Sequence, residues 1–175
     1  MSDEIKPDMA CVPYRRKGLY WILTIPFLVL LISVLVYLWT FSYILSMVFL
    51  LFYFAMCYFQ AYCCAYQDCP YVGGFCPAIA GIMPASLLTK LIYGRKKIVK
   101  SKRSFNVHAT VASIGGIGLI VFPLFWISKI GISFAVGYVA CHVVYYLVFV
   151  FSVCPACAIR YSCPGGKLQS VVVKK

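Results

Sequence analysis

The chain has 175 residues, of which 63% are hydrophobic and only 11% charged, where a soluble domain is roughly half apolar and a quarter charged. That balance excludes an ordinary soluble domain and points to one small membrane domain. The formal net charge of +12 would suit a nucleic-acid binder, but in so apolar a chain the positions of the charges decide their meaning, and no nucleic-acid partner is expected.

No charged residue occurs from Gly18 to Gln67. At about 1.5 Å per helical residue this run is more than twice what a bilayer needs, so it must fold back once. A cytoplasmic segment 1–18 precedes the first span, 19–38, which carries Tyr20 and Trp21 at one end and Tyr37 and Trp39 at the other, as interfacial aromatic girdles require. It is too long for the apolar core of a signal peptide, about 7–15 residues, and no small-residue cleavage site follows. The second span, 43–62, comes after a polar break at Thr40 and Ser42 that contains neither Gly nor Pro.

A Cys-rich, basic loop over 63–106 separates this hairpin from the third span, 107–127. Within it Ile79, Ile82, Met83, Leu87, Leu88, Leu91 and Ile92 fall near helical spacing, interrupted by Pro84, which predicts an interfacial or re-entrant helix. Ser128, Lys129 and Gly131 make a tight connection to the fourth span, 132–153, and a Cys-rich basic tail, 154–175, ends the sequence. The expected fold is therefore an all-α integral membrane bundle of about four transmembrane helices.

The charges test that layout. Of the 16 Lys and Arg, only Lys129 falls on the side of the two short connections. By the positive-inside rule both termini and the long loop are cytoplasmic in a cell-membrane protein. The run Arg95–Arg103 reads as a topology determinant beside anionic headgroups of the lipid bilayer.

The ten cysteines are concentrated where spans two and four end. Cys63, Cys64, Cys69 and Cys76 follow the second span; Cys154, Cys157 and Cys163 follow the fourth. Spans two and four run in the same direction, so both groups emerge on one face. Cys-Pro steps and Gly73-Gly74 allow tight turns that aim sulfur atoms inward. Cys64, Cys69, Cys154 and Cys157 are the first candidates to ligate zinc or an iron–sulfur cluster. Cys63, Cys76, Cys163 and His108 are further candidate ligands. No full ferredoxin run is present, so spacing does not separate the two metals. In the reducing cytosol clustered thiols favour metal or catalysis over stable disulfides. Such a protein would serve as a redox or accessory subunit of a larger membrane complex, with other membrane proteins as partners.

Two alternatives stand beside this. Cys-Pro-Ala-Cys at 154–157 has the spacing of a thioredoxin-like pair, and four spans with paired cysteines resemble in architecture the bacterial disulfide-bond oxidases and the vitamin K epoxide reductases. That resemblance implies a quinone-linked thiol–disulfide oxidoreductase, with Cys154 and Cys157 as one redox pair and Cys69 and Cys76 as the other. Those families work mainly on the outer or lumenal face, opposite to the side the charges give here. The second alternative is an accessory or scaffold subunit whose cysteines form structural disulfides and perform no chemistry.

Within the spans, His142 lies near mid-bilayer and invites a functional reading, against that of a neutral imidazole hydrogen-bonded between helices. Cys57 and Cys141 are expected to be buried small hydrophobes. Gly115, Gly116 and Gly118 predict a close helix–helix approach, and Gly131 and Gly137 a similar one in span four. Asp68 is the only acid after Asp8, which argues against paired-carboxylate hydrolases. Walker, dinucleotide and Ser-His-Asp patterns are absent. Two histidines at different depths predict no haem.

Overall fold

The computed structural model describes residues 17–67, 69, 88–93, 101–153 and 155. Among them the regular elements are helical: α1 (Lys17–Phe41), α2 (Tyr43–Tyr66), a short helix α3 described over 88–92, α4 (Lys102–Val121), α5 (Leu124–Ile130) and α6 (Ile132–Val148). A π-helical turn, Phe149–Val153, extends α6. Four stretches are long and apolar enough to cross a bilayer: Trp21–Phe41, Tyr43–Tyr66, Lys102–Ile130 and Ile132–Ser152.

These helices reach further than the apolar pattern alone indicates, because polar residues at their ends are satisfied locally. The Thr40 hydroxyl donates to the Tyr37 carbonyl (2.7 Å), so α1 continues through it. Ser42 alone separates α1 from α2. Its backbone is extended and its hydroxyl accepts the Ile44 amide (3.2 Å), capping α2. Ser101 likewise caps α4 by accepting the Ser104 amide, which starts that helix at Lys102 rather than at Val107.

The third span is broken once, at Phe122–Pro123. Proline has no amide hydrogen, so the Leu119 carbonyl loses its partner one turn on. The Tyr138 hydroxyl, from α6, donates to that carbonyl at 2.8 Å in a buried setting. A neighbouring helix thus re-satisfies the group the proline releases.

The pair α2 and α4 packs most closely, and the glycines are the cause. A Cβ at Gly115 would stand 3.1 Å from the Met56 amide nitrogen and the Phe52 carbonyl oxygen, and one at Gly118 would stand 2.6 Å from the Phe52 ring. The two backbones therefore approach as small residues permit. Gly137 differs from expectation: a Cβ there meets nothing within 4 Å, so it mediates no close approach.

The faces of α1 and α6 that meet are stripes of alternating three and four residues. Thr24, Phe27, Leu31, Val34 and Leu38 are buried on α1, and Ala135, Tyr138, His142 and Tyr145 on α6. Phe27 stacks on Tyr145 (4.1 Å, 11°) and meets His142 edge-on (5.0 Å, 74°). Near the other end of α1 the Tyr37 hydroxyl donates to the Trp126 carbonyl (3.1 Å). Cys57 is fully buried, as expected, but Cys141 is exposed. The inward stripe of 138, 142 and 145 turns position 141 outward.

These pairings put the α1–α2 and α5–α6 connections at one end of the bundle. Lys17, Tyr66, Lys102 and the π-helical turn lie at the other. Among the described basic residues Lys17, Lys90, Lys102 and Arg103 share the second end, while Lys129 stands alone at the first, its Nζ 4.7 Å from the Phe125 ring centre.

Candidate functional site: thiols and aromatic rings at the basic end

The last turn of α2 positions the candidate ligands. Gln67 ends the helix, its amide donating to the Cys63 carbonyl at 3.2 Å, and the Cys69 amide donates back to the Cys64 carbonyl at 3.1 Å. The second bond joins the residue two past the cap to the third residue before it, which is the Schellman arrangement. The turn folds the chain over its own helix. Cys69 is only 7% exposed and belongs to the apolar core, with the partly buried Cys64 packed against that core. Cys63, Cys64 and Cys69 are thiols.

Helix α3 docks beside this turn. The buried Thr89 hydroxyl donates to the Ala61 carbonyl (3.1 Å), Leu88 packs on the core, and Tyr93 meets Tyr62 edge-on (6.0 Å, 72°). Partial burial, then the nearby phenols of Tyr58 and Tyr62 and the Cys63 thiol, hold the Tyr93 phenol above its ordinary range. Residues 88–92 of this loop are helical and Tyr93 follows as a turn; 78–87, where the rest of the expected interfacial or re-entrant helix falls, lie outside the described residues.

His108 packs among aromatic rings at this end. It stacks on Tyr62 (3.9 Å, 21°) and leans on Phe59 (5.5 Å), and Tyr66 faces Phe105 (4.7 Å). Its Nδ1 lies 2.8 Å from the Ser104 carbonyl. A carbonyl only accepts, so Nδ1 carries the proton, and in the neutral ring Nε2 keeps its lone pair. Among the described residues no three His, Cys, Asp or Glu side chains gather closely enough to hold a metal ion.

Cys76, Cys154, Cys157 and Cys163 lie outside the described residues. The described chain brings Cys64 and Cys69 into one turn; the second pair of proposed ligands, Cys154 and Cys157, which is also one proposed redox pair, falls outside it, as does Cys76, the partner of Cys69 in the other. The π-helical turn ends at Val153, immediately before Cys154.

Deeper in the bundle, His142 is 2% exposed. Its Nδ1 bonds within its own helix, to the Tyr138 carbonyl at 2.9 Å, rather than between helices. Its Nε2 has no hydrogen-bond partner, and neither does the buried hydroxyl of Thr24. Both orphan atoms lie on the facing stripes of α1 and α6.

Sequence reasoning missed the ring cluster of Phe59, Tyr62, Tyr66, Tyr93, Phe105 and His108, and it missed Thr24. The signals were present. Phe59, Tyr62 and Tyr66 recur at helical spacing, as do Phe105 and His108, and Thr24 continues the Phe27–Leu31–Val34–Leu38 stripe. Comparison with known protein families, with curated proteins and with solved structures gives no match for this chain.

Proposed function

We propose that this chain is an integral membrane protein of four transmembrane helices, with both termini and the Cys-rich loop in the cytoplasm. At that face it holds zinc or an iron–sulfur cluster on cysteine thiolates, as a redox or accessory subunit of a larger membrane complex. The layout is supported by the four long apolar helices and by the charge asymmetry. The observation that carries the metal reading is the turn that folds Cys69 back onto Cys64. It brings the backbones of the two candidate ligands into one turn, and in the sequence Cys154-x2-Cys157 follows the fourth span. Thiolate sets of four satisfy both zinc and iron–sulfur clusters.

Anaerobic purification of the full chain tests this. The expected protein carries zinc, or shows broad visible absorbance that dithionite bleaches; a colourless, metal-free protein overturns it. Topology is read separately: once the metal has been stripped, an impermeant maleimide is expected to label the loop cysteines in inverted vesicles and not in intact cells.

A second reading has its own support. Residues in the positions of Cys64 and Cys69 commonly make the apolar contact that accompanies a Schellman turn, and Cys69 is buried as such a contact requires. On this reading the thiols pack and do no chemistry, and replacing both with Ala leaves the activity of any partner complex unchanged.

A further inference from the structure

Helix α3 divides its side chains between the bundle and its surroundings. Leu88 packs on the core and Thr89 is 1% exposed, whereas Lys90, Leu91 and Ile92 are exposed. Leu91, at 82%, is more exposed than any other large apolar residue among those described.

The level at which α3 docks decides what those residues meet. Thr89 bonds the Ala61 carbonyl and Tyr93 meets the Tyr62 ring, and Ala61 precedes the end of α2 at Tyr66 by about 7 Å along the axis. With 24 residues α2 is about 36 Å long, which exceeds the hydrocarbon core of a bilayer by about 6 Å. Shared between the two ends, that excess puts Ala61 about 4 Å inside the hydrocarbon boundary. Lys102 and Arg103 fall outside it. His108 stacks on Tyr62, and Lys102, at the start of α4, stands about 9 Å further toward the basic end.

We infer that the chain between the second and third spans re-enters the bilayer at α3, where Leu91 and Ile92 contact acyl chains and Lys90 reaches back to the headgroup of an anionic phospholipid. The inference rests on the membrane-spanning reading above. Backbone at that depth must be bonded internally, and the Tyr93 amide donates to the Thr89 carbonyl at 3.0 Å. A lysine there lays its apolar stem along hydrocarbon and lifts its ammonium to the interface. Charge selects the lipid over a second copy of the chain. Lys17, Lys90, Lys102 and Arg103 gather at this end, and no Asp or Glu occurs among the described residues. Two such faces repel each other, while anionic headgroups are attracted to them.

Photocrosslinking tests the inference. The full-length protein, with benzoylphenylalanine in place of Leu91, is reconstituted in vesicles of phosphatidylglycerol and phosphatidylcholine in equal amounts, irradiated and analysed by mass spectrometry. Phospholipid adducts are expected, with phosphatidylglycerol in excess. Lys90→Gln in the same protein should lower that excess about fivefold, the worth of one lysine beside an anionic surface. An adduct to a second copy or to another protein, or no adduct at all, overturns the inference, and an excess that Lys90→Gln leaves unchanged overturns the headgroup contact. The same probe at Val144, exposed within the fourth span, separates the two readings. Lipid adducts at Val144 without any at Leu91 remove the re-entrant turn alone, whereas no lipid adduct at either position removes the spanning reading with it.

Discussion

The Tyr138 hydroxyl donates at 2.8 Å to the Leu119 carbonyl, the group that Pro123 leaves without an amide one turn later. A break in the third span and a phenol in the fourth are thus complementary, and together they fix how α6 lies against the bend between α4 and α5. In a low-dielectric interior an orphaned carbonyl is costly, so this bond should contribute more than an average one.

We predict that Tyr138→Phe destabilises the protein by about 1–3 kcal/mol, the cost of leaving a buried acceptor unsatisfied. Pro123→Ala supplies the missing amide, so the double variant should recover much of that loss. Thermal unfolding in detergent of the two single variants and the double variant measures the coupling. Additive losses would show that the phenol and the proline act independently.

Thr24 makes the opposite case. Its buried hydroxyl has no partner, and Thr24→Val replaces it with a methyl of similar shape. The expected outcome is a gain of about 1 kcal/mol, seen as a higher Tm. A lower Tm would mean that the hydroxyl is hydrogen-bonded in the folded protein, with an internal water as the obvious partner.

At the α2–α4 contact the two critical glycines should respond differently. A side chain at Gly115 meets backbone atoms of Phe52 and Met56, whereas one at Gly118 meets a ring that can turn. Gly115→Leu is predicted to cost about 1–3 kcal/mol or to prevent folding, and Gly118→Ala to cost less. The yield of monodisperse protein and its Tm report the order.

Docking of α3 includes a buried bond from the Thr89 hydroxyl to the Ala61 carbonyl. Thr89→Val should weaken that docking by about 1 kcal/mol. Amide exchange over 88–93 is then expected to accelerate while exchange in α4 stays unchanged.

The spans were legible because charge-free runs of that length have few alternatives in water or lipid. Their ends were less so, since Thr40 and Ser101 look like breaks by polarity yet bond within their own helix or cap it. Helical phase was the harder problem. An α6 that is apolar all round gives no contrast between inward and outward faces, so Cys141 was expected inside and Gly137 was expected at a helix contact. Cys64 and Cys69 could be placed together because they are neighbours in the chain. The stacking of His108 on Tyr62 could not, because it depends on the register between α2 and α4.

Metal content of thiol variants tests the central claim most directly. Anaerobically purified wild type and a variant with Cys57→Ala and Cys141→Ala, both away from the proposed centre, should carry the same zinc or iron per chain. Cys64→Ala with Cys69→Ala should lose it while still eluting as a folded protein. Metal that persists in the Cys64/Cys69 variant, or is absent from wild type, contradicts the account.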